Sequence, residues 1–325
     1  MTSLKYIFFI AIIGLSFSCN NHSQDNKSPN QANKNAEKTV VQKKENQQYT
    51  THNVPWKEIN SFDKVPFDYM VPYGEEALQF GELRAPLTQD TFPLVIFIHG
   101  GCWLSDYNLE YLTAAAGDLV KDGYAVWTPE YRRVGDEGGG YPNTFKDIQA
   151  SVDFARTLAE IYPLDINNVV VMGHSAGGHL ALWLATQRNL ASNSPLYNPN
   201  PLPLKGVISL AGITDLAAYD KIGNDCSTAV AKLMGGQAAK LAARYFKGSP
   251  INLLPSKIPT RLIQGEVDNI VPMSQGEAYA AKAKKAGDDV KVITIEGGGH
   301  FDMVSPYSAA WEVIKSELKL MMNDK

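Results

Sequence analysis

Residues 169–185 read VVVMGHSAGGHLALWLA, and few folds accommodate them. An apolar, β-branched run ends at Met172, and a run of Leu, Ala and Trp begins soon after Ser175. A strand that becomes a helix within so few residues must turn tightly, so the neighbours of the central serine must be small. Such a turn thrusts Ser175 Oγ upward at a helix N-terminus, where the dipole favours developing negative charge. Gly173 to Gly177 fit the pattern G-x-S-x-G of a nucleophile turn. The competing reading is a glycine-rich turn that serves only close packing.

The rest of the chain repeats the same alternation. Strand patterns cover 78–84, 92–99, 124–128, 168–172, 206–210, 260–264 and 290–295. Helical patterns cover 109–121, 143–162, 176–187, 274–286 and 307–321. Strands alternating with helices pair in parallel and carry helices on both faces. The expected class is therefore α/β, a mostly parallel central sheet. In such sheets the active site lies at the carboxyl ends of the strands. Residues 213–258 read as an insertion of short helical pieces over that edge. At 325 residues, with 44% apolar residues and five Trp, the chain suits a sizeable globular core. A formal charge of −4 argues against nucleic acid as a partner. Three cysteines are too few for a disulfide framework.

The first fifty residues differ from the rest. Lys5 precedes an apolar run over 6–17, short of the roughly 20 residues a spanning helix needs. A basic start and an apolar middle are features of a secretory signal. One reading is an ordinary signal cut near Ser18. The sharper reading rests on Cys19, directly after the run and a small residue, which resembles a bacterial lipoprotein signal. There the cysteine is lipidated and becomes the new N-terminus; Leu15 stands one residue further back than the usual pattern. Asn, Gln and Lys fill 17 of the 31 positions from 20 to 50. Such a segment buries too little surface to offset its ordering entropy. The expected organisation is a signal over 1–18, a tether over 19–52 and a folded domain over 53–325. It implies an exported, membrane-anchored protein, periplasmic or at the cell surface.

A serine hydroxyl is a poor nucleophile without a base. Of six histidines, His22 and His52 fall in the tether, and His99 reads as a brace for the His99-Gly100-Gly101-Cys102-Trp103 loop. His174 should point into the sheet side of the turn, and His179 lies one turn along the helix. His300, in Glu296-Gly297-Gly298-Gly299-His300-Phe301, follows the last strand, where glycines let a loop carry imidazole over the serine. Asp268, after the penultimate strand, is the expected acid that orients His300. Glu266 would face the other way, and Asp215 and Asp302 read as solvated or capping. The oxyanion hole needs preorganised N–H donors. Ala176, Gly101 and Cys102 are placed to supply them.

Together these residues resemble the α/β-hydrolase serine esterases of the hormone-sensitive-lipase-like and kynurenine-formamidase-like branch, including feruloyl and acetylxylan esterase-type domains. The carriers are HGGCW at 99–103, PEYRRVG at 129–135, YPNTFKDI at 141–148, GHSAGG at 173–178 and the loops of Asp268 and His300. The resemblance implies an α/β-hydrolase fold over about residues 75–325 and structural roles for Tyr131, Arg132 and Asp147. It implies a serine carboxylesterase working through an acyl-enzyme on small-molecule or polysaccharide-linked esters, with no metal or cofactor. Cys102 stands where lipase-type HGGG has its third glycine, and with Trp103 it moves the likeness to an HGGxW group that cleaves both esters and formamides. An arylformamidase is thus the nearest alternative, though export disfavours it. A peptidase and a noncatalytic binding protein on the same scaffold are more remote. Trp103, Tyr141 and the insertion are expected to shape the pocket. In the implied fold one strand separates the parent strands of Cys102 and Cys226, a gap of roughly 10 Å. The two are then either unpaired buried thiols or a disulfide between loop and insertion.

Overall fold

The computed structural model describes residues 49–86 and 91–323. Eight strands form one sheet: β1 (Tyr69–Pro72), β2 (Phe80–Arg84), β3 (Phe92–Ile98), β4 (Ala125–Pro129), β5 (Leu164–His174), β6 (Gly206–Leu210), β7 (Thr260–Gly265) and β8 (Val290–Ile295). Their order is β1-β2-β4-β3-β5-β6-β7-β8. β1 pairs with β2, and β2 with β4, antiparallel; every pair from β4 to β8 is parallel. The α/β class expected from the alternation is the observed one.

The central strands are apolar on both sides because both sides are covered. In β3, Leu94, Ile96 and Ile98 face a core with Phe145 and Trp183, while Val95 and Phe97 face a core with Leu112 and Trp311. This is the period of two that a pleated strand imposes. The helices on these faces are α1 (Trp56–Ile59), α2 (Thr113–Lys121), α3 (Asn143–Asp153), α4 (Ala155–Ile161), α5 (Ala176–Thr186), α6 (Leu216–Tyr219), α7 (Ala229–Met234), α8 (Ala242–Gly248), α9 (Ser274–Lys285) and α10 (Ala309–Asn323). Helices α6 to α8 are the short pieces expected over 213–258, and they follow β6 at its carboxyl end.

Some boundaries move for identifiable reasons. The helix expected over 109–121 opens as a 3-10 turn, Leu109–Leu112, because Asn108 caps it by accepting the Glu110 N–H. The helix expected over 143–162 breaks at Phe154 into α3 and α4. At the break the Asp153 carboxylate takes the Leu202 N–H and the Asn198 amide. β1 and α1 were not anticipated. β1 is a mostly exposed edge strand, so no alternation marks it.

The packed unit includes Tyr49 to Thr51, which were expected in the tether. Tyr49 stacks on Tyr307 with ring centroids 3.7 Å apart, and Thr50 bonds both oxygens of the Glu58 carboxylate. Thr51 accepts the Ala309 N–H. The local polar composition hid these long-range partners. The signal over 1–18, Cys19 and the tether through residue 48 lie outside the described residues.

Candidate active site

The turn from β5 to α5 has the form its sequence demands. Ser175 adopts φ 57° and ψ −118°, a left-handed conformation unusual for a residue with a side chain. Such backbone costs of order 1–3 kcal/mol and persists only where its surroundings fix it. Here the Ser175 N–H donates to Leu210 O at 2.8 Å, and Ser175 O accepts the His179 N–H at 3.0 Å. A Cβ at Gly177 would lie 2.2 Å from Ile98 O, so only glycine lets α5 abut the end of β3. A Cβ at Gly100 would lie 3.0 Å from Ser175 Cβ and 2.5 Å from His174 O. The loop after β3 therefore passes directly against the serine.

His300 and Asp268 meet at the same edge. His300 Nδ1 lies 2.8 Å from Asp268 Oδ2. The other carboxylate oxygen accepts the N–H groups of Ile270 and Val271, both at 2.9 Å. The Asp268 side chain is fully buried. A carboxylate fixed in this way places the imidazole proton on Nδ1 and leaves the lone pair on Nε2 for a hydroxyl. The competing acids stand elsewhere. Glu266 accepts the Gly297 N–H, and Asp215 caps α6. Asp302 is buried rather than solvated, and it accepts the N–H groups of Asn53, Val54 and Gly299.

The loop that carries Gly101 and Cys102 is braced from below. Gly100 N–H donates to Tyr111 Oη at 2.6 Å, which removes it from the set of oxyanion donors. Gly101, Cys102 and Trp103 then follow with φ of 95°, 55° and 58°, three successive positive values that roll the chain into a tight turn. His99 does act as the brace. Its Nε2 meets Glu130 at 2.8 Å, its Nδ1 meets Gly100 O at 2.9 Å, and its ring stacks on Tyr131. Burial alone would raise the Glu130 carboxyl, but His99, Arg133 and the Tyr131 N–H outweigh it and hold the group below its usual range. Tyr131 Oη donates to His99 O, and Arg132 grips Asp147 through two bonds of 2.8 Å.

Cys102 is bonded to Cys226, with the Cα atoms 5.1 Å apart. The disulfide joins the loop after β3 to the insertion. Trp103, expected to shape the pocket, is 0% exposed. Its Nε1 donates to His179 Nδ1 at 3.2 Å, and His179 Nε2 donates to Gly248 O at 2.8 Å. Tyr141 is half-buried under the Arg244 guanidinium, which lies 5.1 Å from the ring centroid. It lines a surface depression with Leu241, Arg244 and Lys247. Tyr111 was not singled out from sequence, because it sits in a helical pattern where an aromatic residue reads as core. Among the described residues no group of three or more His, Cys, Asp or Glu is placed to hold a metal ion.

Residues 83–283, more than half of the chain, match the family model BD-FAE. The chain is 25% identical over 244 residues to the Oryza sativa subsp. japonica protein named "Probable isoprenylcysteine alpha-carbonyl methylesterase ICME", covering 72% of this chain and 58% of that protein. It is 24% identical over 249 residues to "Esterase LipC" of Mycobacterium tuberculosis, covering 72% and 60%. The matched stretch thus spans about three fifths of the length of these two relatives. The Drosophila melanogaster "Kynurenine formamidase" is 21% identical over 76% of this chain and 79% of its own. Among solved structures, the "Truncated form of carbohydrate esterase from gut microbiota" superposes with a TM-score of 0.68 at 23% identity, over 78% of this chain and 95% of that one. This likeness is one of fold, the α/β-hydrolase fold.

Two outcomes follow from the braces. Replacing Cys102 and Cys226 by Ser should cost about 2–4 kcal/mol in chemical denaturation, by loosening the restraint on the unfolded chain. An unchanged denaturation midpoint would count against the bond. Burial, only partly opposed by the bond to Gly248, holds His179 down at about 4. In the unfolded chain an ordinary histidine titrates near 6.5. Between those values the unfolded chain binds a proton that the native protein does not, so stability falls as pH drops from about 6.5 to about 4. The loss from His179 is on the order of 3 kcal/mol. Urea midpoints of His179→Gln should vary less over this window than those of the wild type; parallel curves would refute the assignment.

Proposed function

The chain belongs to the BD-FAE family, and on that footing we propose that it hydrolyses carboxylic esters through Ser175, His300 and Asp268. The observation that carries the reading is the 2.8 Å contact of His300 Nδ1 with a buried carboxylate that two backbone N–H groups hold in place, at the sheet edge that also bears Ser175. Such a pair turns imidazole Nε2 into a base and stabilises the imidazolium that forms. His300 takes the Ser175 proton while Oγ attacks the ester carbonyl carbon. The N–H groups of Ala176, Gly101 and Cys102 receive the oxyanion, and one such donor is worth about 10²–10³ in rate. Collapse breaks the bond to the alcohol, which leaves with the proton from His300. Water, deprotonated by His300, then attacks the acyl-enzyme, and the acid departs with Ser175 restored.

Small-molecule and polysaccharide-linked esters are the proposed substrates, supported by relatives whose names are those of esterases and by the carbohydrate esterase of like fold. A formamidase is the second reading, kept because of the similarity to the Drosophila enzyme. We further propose that Cys19 is lipidated and tethers the domain to a membrane. The sequence over 5–19 supports this, as does an internal disulfide, which persists in oxidising compartments.

In assays with p-nitrophenyl acetate, Ser175→Ala should lose at least ~10³-fold in turnover while keeping its melting temperature, and a fluorophosphonate should label the wild type alone. Near-full activity in that variant would end the esterase reading. N-formylkynurenine in the same assay separates the two substrate classes. Full-length protein should partition with membranes and Cys19→Ser should release it; soluble wild type with a different mature N-terminus would overturn the lipidation.

A further inference from the structure

His174 and Tyr111 take no part in the reaction above, yet both are buried beside it. Tyr111 Oη accepts the Gly100 N–H at 2.6 Å and lies 3.0 Å from His174 Nδ1. His174 Nε2 lies 3.1 Å from the backbone carbonyl oxygen of His300. A carbonyl oxygen only accepts, so Nε2 carries a proton. In neutral imidazole Nδ1 is then an acceptor, and Tyr111 gives it its single hydroxyl hydrogen. The bonds run one way, from Gly100 N–H to Tyr111, from Tyr111 to His174, and from His174 to the carbonyl of His300. Burial and the nearby His300 hold His174 well below the usual histidine range, and burial pushes the Tyr111 hydroxyl above its own. Neither group changes charge near neutral pH, so the direction of the chain is fixed.

We infer that His174, held by Tyr111, is a positioning residue that sets the backbone of His300 relative to Ser175. The inference rests on the proposal that these two residues react together. His300 follows three glycines, which restrict its backbone little. The bond to Asp268 orients the ring at Nδ1, and Glu266, Val267 and Asp302 hold the main chain of Gly297, Gly298 and Gly299, which leaves the carbonyl of His300 itself to be fixed. His174 supplies that second anchor, and it is the immediate neighbour of Ser175, so nucleophile and base are referred to one point. The same chain ends on Gly100, next to the expected oxyanion donors. An error of about 1 Å in such a site costs on the order of 10²-fold in rate.

The two nitrogens of His174 can be separated by substitution. Gln at 174 can keep a donor near the Nε2 position and Asn an acceptor near the Nδ1 position. His174→Gln should retain kcat within about fivefold, His174→Asn should fall at least about tenfold further, and KM should move less than about twofold in both, as expected when alignment rather than ground-state binding is lost. Tyr111→Phe should lower kcat about tenfold at a wild-type KM, and it carries the kinetic test if the His174 variants do not fold. Nitrogen-15 spectra of histidine-labelled wild type should show His174 as the neutral Nε2–H tautomer. An active wild type whose Gln and Asn variants lose kcat equally, or whose Tyr111→Phe variant is unimpaired, overturns this inference alone. So does an Nδ1–H tautomer at His174. A wild type that neither hydrolyses the ester nor takes the fluorophosphonate overturns the proposed function and this inference with it.

Discussion

The left-handed turn at Ser175 is the constraint on which the rest of the site depends. A residue with a side chain holds φ 57° only because its N–H is bonded to the end of β6 and its carbonyl to the first turn of α5. Those two partners belong to different layers of the fold, so the strain is opposed by the packing of the sheet against its helix. The turn also explains the glycines around it. The chain leaves β5 and re-enters a helix so abruptly that the end of β3 comes within backbone contact at Gly177. Were the sheet order different, nothing would stand at that distance. The local sequence and the topology therefore specify each other.

Around this point several polar side chains are buried, each with a partner. His99, His174, Glu130, Asp268 and Asp302 are buried, and each is bonded to main chain, side chain or both. Leaving such groups unpaired costs more than pairing them gains, so the network specifies geometry more than it adds stability. Three of the four buried histidines divide the supporting roles. His99 supports the loop after β3, His174 joins Tyr111 to the loop of His300, and His179 joins Trp103 to the insertion. Residue type alone does not separate these roles. What separates them is the partner on each ring nitrogen, and apart from the Gly100 carbonyl on His99 those partners are distant in sequence.

That distinction also marks how far the sequence could be read. Strand–helix alternation is a local signal, so β3, β6, β8 and the turn at Ser175 were legible in the residues themselves. Asp268 and His300 were legible because each follows a predicted strand, and strand ends in a parallel sheet converge on one edge. The environment of Trp103 was not legible, because its indole N–H meets His179, 76 residues away. Tyr111 gave no signal, since nothing local says that its hydroxyl meets an amide from one loop and an imidazole from another. The docking of residues 49–52 was likewise invisible, because Tyr49 finds its partner at Tyr307.

The insertion after β6 is fastened to the rest of the fold at several points. Cys226 bonds it covalently to the loop after β3. Leu233 O accepts the Tyr141 N–H, Lys247 O accepts the Trp183 indole N–H, and Gly248 O accepts the His179 N–H. Three elements on different strands thus hold it, and three of the four attachments lie on carbonyls that would lose a bond if the insertion lifted. Each such loss in a buried setting costs about 1–3 kcal/mol. Lifting the whole piece would forfeit several at once and strain the disulfide. The loop after β3 and the insertion are therefore joined as one body.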